Sequence, residues 1–168
     1  DRHKLEGLDY IEYRALVPFD VDAPDVFLNF HQRNAQTLQR LSRAGFTARY
    51  LVSLPRRSAL ESYVQLRRML DECPELGDTV VGVDFCSTEQ GNPPSLLRDF
   101  FQRLRQDNQE RPDTVLEVVY HVGEVFFDKS LESAIRWCHE AAQMGARRLG
   151  HAIALGLDPA IAIERIPS

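Results

Sequence analysis

Two histidines and one carboxylate stand where hydrolytic chemistry could use them. An apolar run beginning at Leu116 ends in His121, and Gly123 then turns the backbone so that Glu124 follows at once. Thirty positions further on, the short segment Arg148-Leu149-Gly150-His151 ends in a second histidine. A neutral imidazole at a strand mouth suits Zn²⁺, which makes His121 the candidate metal ligand. Three residues on, Glu124 can face the same cavity without competing for the metal, the position a proton donor needs. His151 can accept the proton of a metal-bound water or hold that water in line. The other histidines read differently: His139, beside Glu140, and His31, between Phe30 and Gln32, are expected at the surface, and His3 is terminal.

Composition bounds the setting for this chemistry. The chain has 168 residues, 43% of them hydrophobic and 27% charged, which is the balance of one ordinary globular domain. Its apolar runs are far shorter than the ~20 residues that cross a bilayer, and neither a membrane span nor secretion is expected. Cys73, Cys86 and Cys138 cannot all pair and show no C-x-x-C spacing, so free thiols in a cytoplasmic, reducing compartment are expected. A net charge of -5 argues against a nucleic-acid surface. The pairs Arg56-Arg57, Arg67-Arg68 and Arg147-Arg148 are too scattered to make a basic stripe and read as solvated charges. A first residue of Asp1 rather than methionine hints at a piece of something longer.

The elements that must position the histidines alternate. Leu8 to Val17 reads as a strand, and Phe27, Phe30, Leu38 and Leu41 mark a helix from about Pro24 to Ala44, with Gly45 as its stop. Thr47 to Leu54 is a second strand, closed by Pro55. The S-x-x-E pattern Ser58-Ala59-Leu60-Glu61 predicts a capping box, and the helix it opens carries Leu60, Val64 and Leu70 toward Cys73. Thr79 to Phe85, apolar on both sides of its pleat, is a strand buried on two faces. Beyond the polar loop Ser87 to Pro94, Leu97, Phe100, Phe101 and Leu104 form one face of a helix, and Pro112 and Asp113 end that unit. Leu116 to His121 is the fourth strand. The helix after it carries Leu131, Ala134, Ile135, Cys138 and Ala142 and stops at Gly145. Arg148 to His151 begins a fifth strand, and Asp158-Pro159 looks like a helix cap.

Strand ends recur about every 30 to 37 residues, near the ~31 per unit of a ~250-residue barrel of eight units. An open doubly wound sheet would also alternate in this way. It usually carries a glycine-rich phosphate turn, and neither G-x-G-x-x-G nor G-x-x-x-x-G-K-[ST] occurs here. Polar groups at the carboxyl ends of several successive strands, Asp84 to Glu89, His121 to Glu124 and His151, favour the barrel. Five units cannot close one, so residues 1–168 are expected to be a single incomplete domain whose remaining strands belong to the same polypeptide.

With these residues in view, the chain resembles the adenosine deaminase family of the amidohydrolase superfamily. The family's H-[A]-G-E is matched by His121-Val122-Gly123-Glu124, and its R-[IL]-G-H-[GA] by Arg148-Leu149-Gly150-His151-Ala152. Its [VI]-D-L-x-G-x-E is matched in altered form by Val83-Asp84-Phe85-Cys86-Ser87-Thr88-Glu89. The likeness runs from about Leu8 to Ala154 and implies α/β architecture, a TIM (β/α)8 barrel of which the chain holds the second to sixth strands. By that resemblance His121 is a zinc ligand, Glu124 the acid that protonates the purine ring nitrogen, and His151 the group that orients the attacking hydroxide. Ser87 and Glu89 fall in the substrate-binding motif. The stretch from Arg148 to Pro159 resembles the large bacterial deaminase-like proteins associated with phage defence.

The resemblance therefore implies a zinc-dependent hydrolytic deaminase of a purine nucleoside or nucleotide, seen as a fragment that is itself inactive; a homo-oligomer is compatible with it. Departures from the family leave two other readings. The family's H-x-H and D-D patterns, which would supply further zinc ligands, are both missing, which leaves room for a non-catalytic barrel used for binding or assembly. Ser87, with Cys86 before it, replaces the glycine that meets the purine, which leaves room for an amidohydrolase of a non-purine substrate.

Overall fold

The structure, a computed structural model, describes residues 6–158 and 160. Five strands make one parallel sheet in chain order, β1 (Tyr10–Leu16), β2 (Thr47–Ser53), β3 (Val80–Phe85), β4 (Glu117–Val122) and β5 (Arg148–His151). Between them run α1 (Pro24–Leu41), α2 (Ala59–Glu72), α3 (Arg98–Glu110) and α4 (Leu131–Met144). The five expected strands and the four expected helices between them are present, within a few residues of their predicted bounds. His3 and Pro159 lie outside the described residues. Of the expected cap at Asp158-Pro159, the described part is an Asp158 Oδ1 that accepts the N–H of Ala160. No helix among the described residues is long and apolar enough to cross a membrane.

Register gives the sheet two chemically different faces. Tyr50, Val52, Val83, Phe85, Val118, Tyr120 and Val122 join the buried apolar core with the helices. On the other face Arg14 is opposite Leu51, Leu51 opposite Gly82 and Gly82 opposite Glu117. One step toward the strand ends, the pairings run from Leu16 through Ser53, Asp84 and Val119 to Arg148. An extra residue in β3, Val81, sits at a register shift against Tyr50 and Leu51, and realigns this face.

The sheet is curled. In a flat sheet the two edge strands would stand four spacings of ~4.8 Å, about 19 Å, apart. Yet Arg148 of β5 forms an ion pair with Glu12 of β1, residues 136 apart in sequence. That contact is possible only if the charged face is concave, so the strands form an arc of a barrel with the helices outside.

Several polar residues depart from expectation, each because a helix period or a strand end carries it inward. His31 is buried, not at the surface: one face of α1 is Phe27, His31, Ala35 and Leu38. Its Nδ1 lies 2.7 Å from the Tyr50 hydroxyl, and the Phe27 and Phe30 rings pack edge-on against it. Arg67 is also buried, and donates to the Tyr63 hydroxyl, the Thr114 carbonyl and Asn108. Arg56 is buried at the ends of β3 and β4; Arg57, Arg68, Arg147 and Arg148 are exposed. The capping box does not form. A 3-10 turn at Arg56–Ser58 leads into α2, the Ser58 side chain caps nothing, and its carbonyl accepts the Ser62 hydroxyl. In consequence α2 buries Tyr63, Leu66 and Met69 along with Leu70, while Val64 is exposed. Gly45 does not stop α1. The helix ends at Ser42, and Gly45 makes the tight turn that pairs Arg43 with Phe46.

Burial holds the His31 pKa down at about 4, against an ordinary 6.5. The unfolded chain therefore binds the extra proton first, so stability is full above the ordinary value and is lost as pH falls through the folded one. Between about pH 6.5 and pH 4, wild type should lose up to about 3 kcal/mol more stability than His31→Gln, read from urea midpoints at each pH.

Candidate active site

The site forms where the concave face meets the carboxyl ends of β3, β4 and β5. Asp84 is fully buried; its Oδ2 accepts the Ser53 hydroxyl at 3.1 Å, and Ser53 in turn accepts the Cys86 thiol. Oδ1 lies 3.0 Å from Nδ1 of His121. The angle there is too bent for a hydrogen bond, so the contact is one of charge and dipole. His121 is itself buried at 4% exposure. Burial lowers its pKa, with Arg14 and His151 adding to the effect and Asp84 and Glu124 opposing it. The result is a neutral imidazole, the form that ligates metals.

The partner of His121 across the ladder is Gly150, and the choice of residue there is steric. A Cβ at Gly150 would stand 2.7 to 3.0 Å from Cδ2, Nε2 and Cγ of the His121 ring. The ring occupies the space that any side chain at residue 150 would need. Directly after it, His151 and Ala152 both hold positive φ, 61° and 48°. Such conformations in non-glycine residues cost on the order of 1–3 kcal/mol each and persist only when neighbouring bonds enforce them. Here the Ala152 N–H donates to Val122 and Gly150, and that of Ala154 to Gly123.

This strained turn brings His151 to the other two candidates. Register pairs it with Val122, a core residue, yet its ring centroid is 5.0 Å from that of His121 and its Nε2 is 3.0 Å from Oε2 of Glu124. The two side chains are 44% and 30% exposed, so solvent or a ligand reaches the pair. His121, Glu124 and His151, named from sequence alone, thus converge on one mouth of the sheet.

The other two candidates are placed differently. Ser87 is half-buried, and its carbonyl accepts a hydrogen bond from Nε of Arg56. Glu89, expected to touch substrate, is 1% exposed. Its Oε1 accepts the N–H of Gly123, and its Oε2 those of Glu124 and Val125.

Arg56 is a site residue that sequence reasoning missed. Its Nη2 donates to the carbonyls of Phe85 and His121, at 3.0 and 2.6 Å, and its guanidinium lies 4.6 Å over the Tyr120 ring. One buried cation therefore ties the end of β3 to the end of β4. Only its place just after a strand and a proline distinguishes it in the sequence.

His121 supplies one imidazole of the right kind for a metal, but a catalytic zinc takes about three protein ligands. Among the described residues no group of three or more His, Cys, Asp or Glu side chains is arranged to hold a metal ion. The residues in hand do not make a complete metal site by themselves.

No family model matches the chain. Adenosine deaminase 1 of Streptomyces coelicolor is 31% identical over 90 residues, 54% of this chain and 19% of that protein. Adenosine deaminase of Mycobacterium ulcerans is 33% identical over 93 residues, 52% of this chain and 22% of that protein. The chain thus spans about a fifth of the length of the curated relatives it matches. Among solved structures, an adenine deaminase from Arthrobacter aurescens superposes with a TM-score of 0.64 over 95% of this chain and 44% of its own, at 20% identity. An amidohydrolase from Burkholderia ambifaria with bound Zn gives 0.54 over 93% and 40%, at 16% identity. At these identities the superpositions show the fold: the arc is part of a TIM barrel.

Gly150→Ala should push the His121 ring aside and cost about 1–3 kcal/mol, the usual range for overpacking. Urea unfolding measures the cost, and displaced His121 imidazole signals in NMR spectra locate it; an unperturbed ring would show that the close approach is not a constraint.

Proposed function

Since the chain is related to the adenosine deaminase-like amidohydrolases, we propose that it is the central part, second to sixth strands, of the catalytic barrel of a zinc-dependent cytoplasmic deaminase acting on a purine nucleoside or nucleotide. The observation that carries this reading is the convergence of His121, Glu124 and His151 from two adjacent strands, with Nε2 of His151 on Oε2 of Glu124 at 3.0 Å. Other strands of the same polypeptide would complete the barrel and supply the ligands that His121 lacks here.

Hydrolytic deamination adds water to the amino-bearing ring carbon, protonates the neighbouring ring nitrogen and releases ammonia. Zinc, when bound, supplies the activation of water, lowering its pKa from 15.7 to about 7. The chain's own residues do the rest. Glu124, as general acid, hands a proton to the ring nitrogen as the nucleophile adds. His151, with Nε2 3.0 Å from the Glu124 carboxylate and half open to solvent, holds the nucleophile in line. Asp84 and Gly150 fix the plane of the His121 ring, Asp84 by charge at Nδ1 and Gly150 by leaving room for the ring. Ser87, at the end of β3, lines the substrate's approach.

In the full-length protein, Glu124→Gln should lower turnover by at least ~10²-fold, the scale of a lost general acid, with zinc content near wild type. His121→Ala should lose zinc. Ammonia release from adenosine, its nucleotides and a panel of non-purine amines and amides, assayed on the wild type, identifies the substrate. Activity confined to the non-purine panel would move the reading to another amidohydrolase, in keeping with Ser87 in place of glycine. No release from any of these, without zinc in the protein, would make the barrel a binding or assembly module.

A further inference from the structure

The segment that follows β4 has neither helix nor strand to satisfy its backbone, yet it carries Glu124. Three consecutive N–H groups, of Gly123, Glu124 and Val125, all point at one carboxylate, that of Glu89, at 3.0, 3.1 and 3.1 Å. Gly123, at φ +73°, supplies the turn that lets successive N–H groups face a single anion. A side chain could not replace its hydrogen, because a Cβ would meet the Cys138 sulfur at 2.7 Å.

The Glu89 charge is buried and faces a buried cation. Nζ of Lys129 lies 3.8 Å from Oε1 of Glu89, the two side chains being 4% and 0% exposed. The same ammonium donates to the Val125 carbonyl at 2.9 Å and to Asp128, and sits 4.3 Å over the Trp137 ring. Asp128 closes the link by accepting the Gly91 N–H at 2.8 Å. The loop after β3 and the loop after β4 are thus joined twice, once through Glu89 and once through Asp128. The backbone of Glu124 is itself held in the first of these joins.

We propose that the buried Glu89–Lys129 pair is a positioning device that sets where the Glu124 carboxyl stands relative to His151. Glu89 then touches backbone rather than substrate, and Lys129 is a positioning residue for the reaction. This rests on the reading of Glu124 as the proton donor. It differs from a merely structural role because the N–H groups held are those of Glu124 itself and its two neighbours, so a loosened clamp moves the acid before it unfolds anything. Glutamine at residue 89 keeps the shape but offers one accepting oxygen, and its NH₂ would face an N–H, donor against donor.

The test is a double-mutant cycle in the full-length protein, with Glu124→Gln, Glu89→Gln and the pair combined. Glu89→Gln is expected to lower kcat by about 10²-fold, the cost of a misplacement near 1 Å, with KM within about twofold of wild type. Added to Glu124→Gln, it is expected to cost no further kcat, because a residue acting only through another is silent once that one is gone. Lys129→Met should lower kcat in the same way and Lys129→Arg restore most of it, which keeps the proposal testable if Glu89→Gln fails to fold. Full activity in Glu124→Gln would remove the acid reading on which the proposal rests. An impaired Glu124→Gln together with an unchanged kcat in Glu89→Gln, or with losses that multiply in the double variant, would leave that reading standing and overturn the positioning role. Equal kcat in Lys129→Met and wild type would overturn the part given to Lys129.

Discussion

A histidine ring laid over a glycine on the neighbouring strand sets the geometry of the site. The parallel register of β4 and β5 places Gly150 opposite His121, and the missing side chain leaves room for the imidazole. A one-residue slip of β5 against β4 would turn the side chains of β5 to the opposite face, so the contact and the register depend on one another. Once the ring is in place, Asp84 lies against its Nδ1, the turn after Gly150 delivers His151 beside it, and the loop after β4 brings Glu124 to His151.

Strand ends were legible in the sequence because apolar runs stop there abruptly at Pro55, His121 and His151. The inner face of α3 was legible for a similar reason: Leu97, Phe100, Phe101 and Leu104 are large and apolar and fall on one helical stripe, and all four are buried. In α2 the same logic failed because polar residues share the inner face. Ser62 points inward bonded to its own helix, and Arg67 points inward bonded to Tyr63, Asn108 and the Thr114 carbonyl, so the apolar residues Leu60 and Val64 do not mark the buried face. His31 was recoverable, since it lies four residues after Phe27 and four before Ala35. Its immediate neighbours Phe30 and Gln32 said less than those helical ones.

The buried charges were the least legible part of the site. Arg56 and Glu89 occupy polar, turn-like stretches, where exposure is the ordinary expectation. What draws them inward is a set of unpaired backbone groups at the ends of parallel strands, and a strand end does not announce in its own sequence which distant side chain will satisfy it. Arg56 takes up carbonyls of Phe85, Ser87 and His121, and Glu89 takes up N–H groups of the following loop. Cation and anion thus divide the two polarities of the backbone between them. The catalytic candidates stand out by residue type, and the groups that hold them do not.

The ion pair between Glu12 and Arg148 has a consequence for how the arc comes together. It joins the first strand to the fifth, so its loop closes only after the three strands between have docked, and the entropy of that closure is met by contacts made earlier. With Arg148 half open to water, the pair adds little to equilibrium stability. Its role is as a gauge of curvature: it forms when the arc has its final bend and parts if the arc flattens. Ionic strength therefore acts on the shape of the open side of the sheet more than on whether the sheet exists.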